Sequence, residues 1–116
     1  MPGISEEVTR QAVERHALYP RVASIGATRA LASTDIDKVL VNTSGTGYTI
    51  TFALDATIGG EIPIGATVVG LQSGAGTVTF AAGTATFTGA ALATTAAGGR
   101  LVATKIAANS WCVSKQ

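Results

Sequence analysis

PIGATVVGLQSGAGTVTFAAG, residues Pro63 to Gly83, decides how this chain is read. Val68, Val69 and Leu71 run into Gln72-Ser73-Gly74-Ala75-Gly76, and Thr77-Val78-Thr79-Phe80 runs out. Two β-rich runs joined by a short glycine-bearing loop read as a hairpin. Tight reversals demand positive φ, which a Cβ penalises, so glycine belongs there. Upstream, KVLVN (residues 38–42) reads as a strand and TSGTG (43–47) as a turn. Tyr48-Thr49-Ile50-Thr51-Phe52 alternates, with Tyr48, Ile50 and Phe52 on one face. Downstream, Ala85-Thr86-Phe87 follows a second glycine turn, and AALATTAAGG (90–99) is a low-complexity connector. RLVATKI (100–106) and WCVS (111–114) form a closing hairpin across Ala107-Ala108-Asn109-Ser110.

Short strands with turn signals about every 8–12 residues predict an all-β fold, a small antiparallel β-sandwich or barrel of jelly-roll-like type. The predicted core is Ile50, Phe52, Val69, Leu71, Val78, Phe80, Phe87, Leu101, Ile106, Trp111 and Val113. Trp111 anchors it, because it buries the largest area of any residue in the chain.

With 116 residues the chain is one domain with a short appendage. Its net charge of +1 gives no field that steers it to nucleic acid or an anionic membrane. Charged residues make up 13%, about half the usual share, and alanine, glycine and threonine fill the space. A surface so poor in charge favours packing against copies of itself or a larger assembly. Cys112 stands alone in an alternating run and reads as an inert, packed thiol. The leading residues lack the apolar core of a secretory signal, and no run approaches the roughly 18 apolar residues of a membrane span.

Charge divides the chain. Glu6, Glu7, Arg10, Glu14, Arg15, Arg21, Arg29, Asp35, Asp37 and Lys38 crowd the beginning, whereas only Asp55, Glu61, Arg100, Lys105 and Lys115 follow. The shift places a boundary near Ser33: residues 1–34 read as a short N-terminal helix and extended docking arm, and residues 35–116 as the β domain. The helix runs from Ser5 to Leu18. Ser5 caps it, Glu6 and Glu7 suit the dipole, and Pro20 stops it. Its apolar stripe is thin, so it needs a surface to dock on. Arg21 to Thr34 reads as the extended arm.

No catalytic constellation is present in the sequence, and an enzyme is not expected. His16 is the only histidine and, with Cys112, does not make a zinc shell. Asp35 and Asp37 read as turn-capping or edge-blunting carboxylates. Gly74-Ala75-Gly76 precedes no helix and is no dinucleotide fingerprint. Asn42-Thr43-Ser44 matches the glycosylation sequon, read as a chance match without a secretory signal. Arg10, Arg15, Arg21 and Arg29 are dispersed among acids rather than gathered into a basic stripe. The reading therefore predicts no cofactor, metal, nucleic-acid or membrane partner.

The order of several motifs resembles a known module. Asp37-Lys38-Val39-Leu40-Val41-Asn42 is followed by Pro63-Ile64-Gly65, by Gln72-Ser73-Gly74-Ala75-Gly76-Thr77-Val78-Thr79-Phe80-Ala81-Ala82-Gly83, by Arg100-Leu101, and by Asn109-Ser110-Trp111-Cys112-Val113. Together, from about Asp35 to Val113, they resemble a β-rich module of tailed-bacteriophage virion proteins, found in tail fibres, tail tips and capsid-surface proteins. The resemblance implies a sandwich-like fold and trimeric association. Two departures stand out: no long shaft precedes the module, and the chain ends Ser114-Lys115-Gln116 where such modules run on to a terminal glycine. The expectation is a capsid decoration (cement) or short head-fibre protein, located in the virion and made in the bacterial cytoplasm. It would form a homotrimer and dock on the major capsid protein. The docking residues would be Val8, Arg10, Val13, Arg15, Leu18, Tyr19, Arg21, Val22, Ile25, Arg29 and Leu31. The alternatives are a tail-fibre or tail-tip component, or a module binding host glycans with its threonine-rich faces and the loops near Tyr48 and Asp55.

Overall fold

The structure, a computed structural model, describes residues 22–59, 61–89 and 92–116. Its strands are β1 (Val22–Ser24), β2 (Arg29–Ala30), β3 (Val39–Asn42), β4 (Tyr48–Thr51), β5 (Thr67–Gln72), β6 (Val78–Ala81), β7 (Thr86–Thr88), β8 (Arg100–Ala107) and β9 (Ser110–Lys115). A 3-10 turn at Ser33–Asp35 and a one-turn helix, α1 (Asp55–Ile58), join them. Two sheets make the all-β sandwich: a six-stranded sheet ordered β1-β3-β5-β8-β9-β7, and a three-stranded sheet ordered β2-β4-β6.

Strand direction departs from the antiparallel expectation. β1 pairs β3, β3 pairs β5, β2 pairs β4, β4 pairs β6 and β7 pairs β9, all parallel. Among the described strand pairs, β5 with β8 and β8 with β9 run antiparallel. The cause is that the chain alternates between sheets through β1 to β6, so each return to a sheet lies beside the previous strand in the same direction.

The stretch from Pro63 to Gly83 is consequently a corner and not a hairpin. Both edges of β5 are occupied, by β3 and by β8, so β6 crosses to the other sheet and joins β4. The corner after β5 stacks on the corner after β3. Partners across the two are offset by 30 residues: Val39 faces Val69, Asn42 faces Gln72, and Tyr48 faces Val78. The Gly74 N–H donates to the Asn42 carbonyl at 3.2 Å and the Gly76 N–H to the Ser44 carbonyl at 2.9 Å. A Cβ on Gly74 would lie 2.7 Å from the Ser44 oxygen, and one on Gly76 would run into the Thr46 carbonyl. Neither glycine has positive φ. They are required by the close approach of stacked main chains. Asn42, fully buried, pins the lower corner: its amide donates to Thr46 O at 2.8 Å and Thr77 O at 3.2 Å, and its Oδ1 accepts from the Ser44 N–H at 3.0 Å.

The closing hairpin is as read from sequence. β8 and β9 turn through Ala108 and Asn109, with Asn109 at φ 57°, and a bulge interrupts the ladder between Lys105 and Ala107. Ile50, Phe52, Val78, Phe80, Leu101, Trp111 and Val113 are buried as predicted. Phe52 is the hub, with ring centroids 5.1 Å from Phe80, 5.0 Å from Phe87 and 5.1 Å from Trp111. Edge-to-face geometry with Phe87 and Trp111 is the arrangement aromatic quadrupoles favour.

Three core assignments need correction. β5 points Val68, Gly70 and Gln72 inward, which leaves Val69 and Leu71 half-buried on the outside. Ile106 is the bulged residue between Lys105 and Ala107 and is 47% exposed. Both alternate positions of VVGL are apolar or glycine, so alternation does not fix which set faces the core.

Nor is the segment from Val22 to Thr34 an arm. β1 and β2 are the first strands of the two sheets, and Ile25 and Leu31 lie in the core at 4% and 3% exposure. The composition boundary near Ser33 therefore falls inside the folded body. The predicted helix from Ser5 to Leu18 lies outside the described residues.

Candidate interaction surface

Of the predicted docking residues, Val8, Arg10, Val13, Arg15, Leu18, Tyr19 and Arg21 lie outside the described residues. The others divide between core and surface. Ile25 and Leu31 are committed to the interior. Arg29 is committed to Asp35, with guanidinium bonds of 2.6 and 2.9 Å to the two carboxylate oxygens. Asp35 also accepts the Ala32 N–H at 2.8 Å, which fastens the 3-10 turn. Burial alone would raise the Asp35 carboxyl, but the bonds from Arg29 and Ala32 hold it below its ordinary value, and the same contact raises Arg29. The D-x-D pair is thus divided: Asp35 serves Arg29, while Asp37 accepts the Thr67 N–H at 3.1 Å. Only Val22, 63% exposed, is left on a surface.

Val22 sits at the end of an apolar row. The register aligns Val22, Val39, Val69 and Val102 across β1, β3, β5 and β8, and β9 adds Ser114. A second row runs Ser24, Val41, Leu71 and Arg100, and a third runs Thr67, Thr104, Cys112 and Thr88. These residues alternate with the buried Leu40, Val68, Gly70, Leu101, Ala103, Trp111 and Val113, so they form the outer face of the larger sheet. Arg100 is the only charged side chain in the three rows, and it stands at a strand end. Sequence reading assigned Val69 and Leu71 to the core. The available signal was that β3 and β5 are apolar at both alternate positions, which marks strands with two covered faces.

A cleft of about 490 Å³ lies at one end of the sandwich, lined by Asp55, Glu61, Ile62, Pro63, Ile64, Lys105 and Ala108. The Lys105 side chain is 2% exposed and its ammonium bonds Asp55 Oδ2 and, at 2.9 Å, the Ile62 carbonyl. Asp55 is locked to the hairpin turn as well, since its own N–H donates to Asn109 Oδ1 at 2.7 Å and its Oδ2 accepts the Asn109 N–H at 3.3 Å. Its Oδ1 is buried without a hydrogen-bond partner. These contacts tie α1, β8 and the β8–β9 turn together, and the paired charges are one reason a lysine is tolerated inside. Alternation had marked Lys105 as part of a strand without revealing that it points inward. Among the described residues, no group of three or more metal-ligating side chains gathers at one place, and no helix is long and apolar enough to cross a membrane.

The described residues define a two-layer all-β sandwich whose three outer rows on the larger sheet carry one charged side chain, Arg100. Comparison with protein-family models, with curated proteins and with solved structures found no significant match.

Proposed function

We propose that this chain is a structural protein of a tailed-bacteriophage virion, a capsid decoration (cement) or short head-fibre protein that associates with copies of itself. The observation that carries the reading is a division of chemistry. Among the described residues, the three outer rows of the six-stranded sheet hold a single charge, Arg100, whereas residues 1–21 hold Glu6, Glu7, Arg10, Glu14, Arg15 and Arg21. A neutral body suits association between copies, and a charged segment suits an ionic partner such as a capsid surface. The order of the β motifs supports the same class. Docking is assigned to Val8, Arg10, Val13, Arg15, Leu18, Tyr19 and Arg21, since Ile25, Arg29 and Leu31 are used by the body itself. The mechanism is added contact: each copy covers capsid surface that a bare shell leaves in water, so the shell resists internal pressure. The test is binding of the whole chain to empty shells, compared with a chain that begins at Val22. Loss of binding in the shortened chain supports the docking role, and undiminished binding refutes it.

The cleft favours a second reading, a host-glycan-binding module of a tail. The exposed Glu61 lines the cleft and offers a carboxylate acceptor for sugar hydroxyls. Saturable binding on a glycan array that Glu61→Gln abolishes would establish it.

A further inference from the structure

We infer that Lys105 and Asp55 become joined by an intramolecular isopeptide bond, an amide between the lysine Nζ and the aspartate Cγ that the folded chain forms by itself. The Lys105 side chain is 2% exposed, and its ammonium meets Asp55 Oδ2 and the Ile62 carbonyl. A buried ion pair loses much of its hydration, and mutual attraction offsets that loss only when the remaining lone pairs are also bonded. Here Asp55 Oδ1 is buried with no hydrogen-bond partner. A carboxylate held in this way is half-satisfied, and an unpaired charged oxygen is the costliest kind to bury. A neutral amide removes both charges and leaves Oδ1 as a carbonyl oxygen, which is far less unfavourable to enclose.

The reaction is a condensation. Within the contact, Nζ passes one proton to Oδ2, which leaves a neutral amine facing a neutral acid. The Nζ lone pair then attacks Cγ and forms the C–N bond. Nζ gives up a second proton, the C–Oδ2 bond breaks, and Oδ2 departs as water with both protons. Nothing is oxidised or reduced. Glu61 is assigned as carrier of the second proton. It lines the same cleft as Asp55 and Lys105, and it is the chain neighbour of Ile62, whose carbonyl accepts from Nζ at 2.9 Å. Asp55 is held for attack from its other side, since its N–H donates to Asn109 Oδ1 at 2.7 Å. Amine and acid kept in contact react at effective concentrations of about 10⁵–10⁸ M. A lysine withdrawn from water is the activated form of this nucleophile, and the same enclosure keeps water from reversing the step. The ion pair is the state of the newly folded chain, and the amide forms from it on standing. With a single cysteine the chain has no internal disulfide, and this bond would tie α1 to β8 in its place.

The experiment uses the whole chain. Its intact mass is measured in denaturant, on freshly refolded protein and after prolonged incubation in the folded state. The expected result is a loss of about 18 Da, one water. Trypsin should then leave residues 39–100 and 101–115 in one species, because the amide joins the two and Lys105 no longer offers a cleavage site. Lys105→Met is expected to keep its full mass. Glu61→Gln, at an exposed position, should fold as the native chain does and lose water about 100-fold, or more, more slowly. A folded native chain that keeps its full mass overturns the inference. So does a loss of water that persists in Lys105→Met. A loss of water that leaves residues 39–100 separate from residues 101–105 marks a succinimide and overturns it too. Unchanged kinetics in Glu61→Gln overturn the role given to Glu61.

Discussion

Replacing Gly76 by alanine should break the stack of corners, and replacing Gly45 should not. The two residues occupy neighbouring corners on the same edge of the sandwich. A Cβ on Gly76 would enter the space of the Thr46 carbonyl, which cannot retreat because it accepts from Asn42 Nδ2 at 2.8 Å and Ser44 Oγ at 3.0 Å. A Cβ on Gly45 would meet nothing within 4 Å. The 30-residue offset that aligns Asn42 with Gln72 sets Gly45 opposite Ala75, so the fold already carries alanine at the equivalent place. Removing a glycine stabilises by about 0.4–1 kcal/mol through the unfolded chain when the native geometry tolerates the methyl. Forcing a methyl into a packed site costs about 1–3 kcal/mol. Gly45→Ala should therefore raise the melting temperature by about 2–6 °C and Gly76→Ala lower it by about 5–20 °C. The fluorescence of Trp111, the only tryptophan and fully buried, follows unfolding at fixed protein concentration. If the two variants melt together, the glycines are not there for close approach and the stacked-corner account is wrong.

Asp55→Asn should cost about 3–5 kcal/mol by urea denaturation, because it strands the Lys105 ammonium inside, whereas Asp55→Asn with Lys105→Met should recover most of that loss. The depressed Asp35 carboxyl contributes stability that is present above its ordinary value of 3.8 and is lost as pH falls through its lower folded value. Asp35→Asn should flatten that acid limb, with stability measured against pH as the check. A chain beginning at residue 35 should fail to give a cooperative melt, since it lacks Ile25, Leu31 and the partner of Asp35, while one beginning at Val22 should melt cooperatively.

Sequence periodicity was enough for the sandwich, the closing hairpin and the aromatic core around Phe52, Phe80 and Trp111, because each of those rests on local alternation or on a large apolar residue. Corner and hairpin were not separable that way. A five-residue glycine loop serves both, and the choice depends on whether β5 has a free edge, which β8, nearly thirty residues later, decides. The 30-residue offset between residues 39–51 and 69–81 was the available signal, but it is carried by small and β-branched residues that differ at nearly every position. The docking set was misjudged for a related reason. Charge density separated residues 1–34 from the rest, yet Arg29 and Asp35 spend their charges on each other inside the body. Ile25 and Leu31 sit among small residues with no clean alternation in sequence and are gathered into the core by the parallel pairing of β1 with β3 and β2 with β4.

The order in which strands join the larger sheet bears on synthesis. β5 finds its second neighbour only in β8, and β7 has no neighbour until β9 is made. A nascent chain whose residues 101–116 are still within the ribosome has neither, and the seat of Trp111 beside Phe52 stands empty. Such contacts between distant parts of a chain form late and slowly. The earlier strands must wait, edges bare, until β8 and β9 emerge, so termination anywhere before Trp111 yields a sticky fragment rather than a shorter working protein.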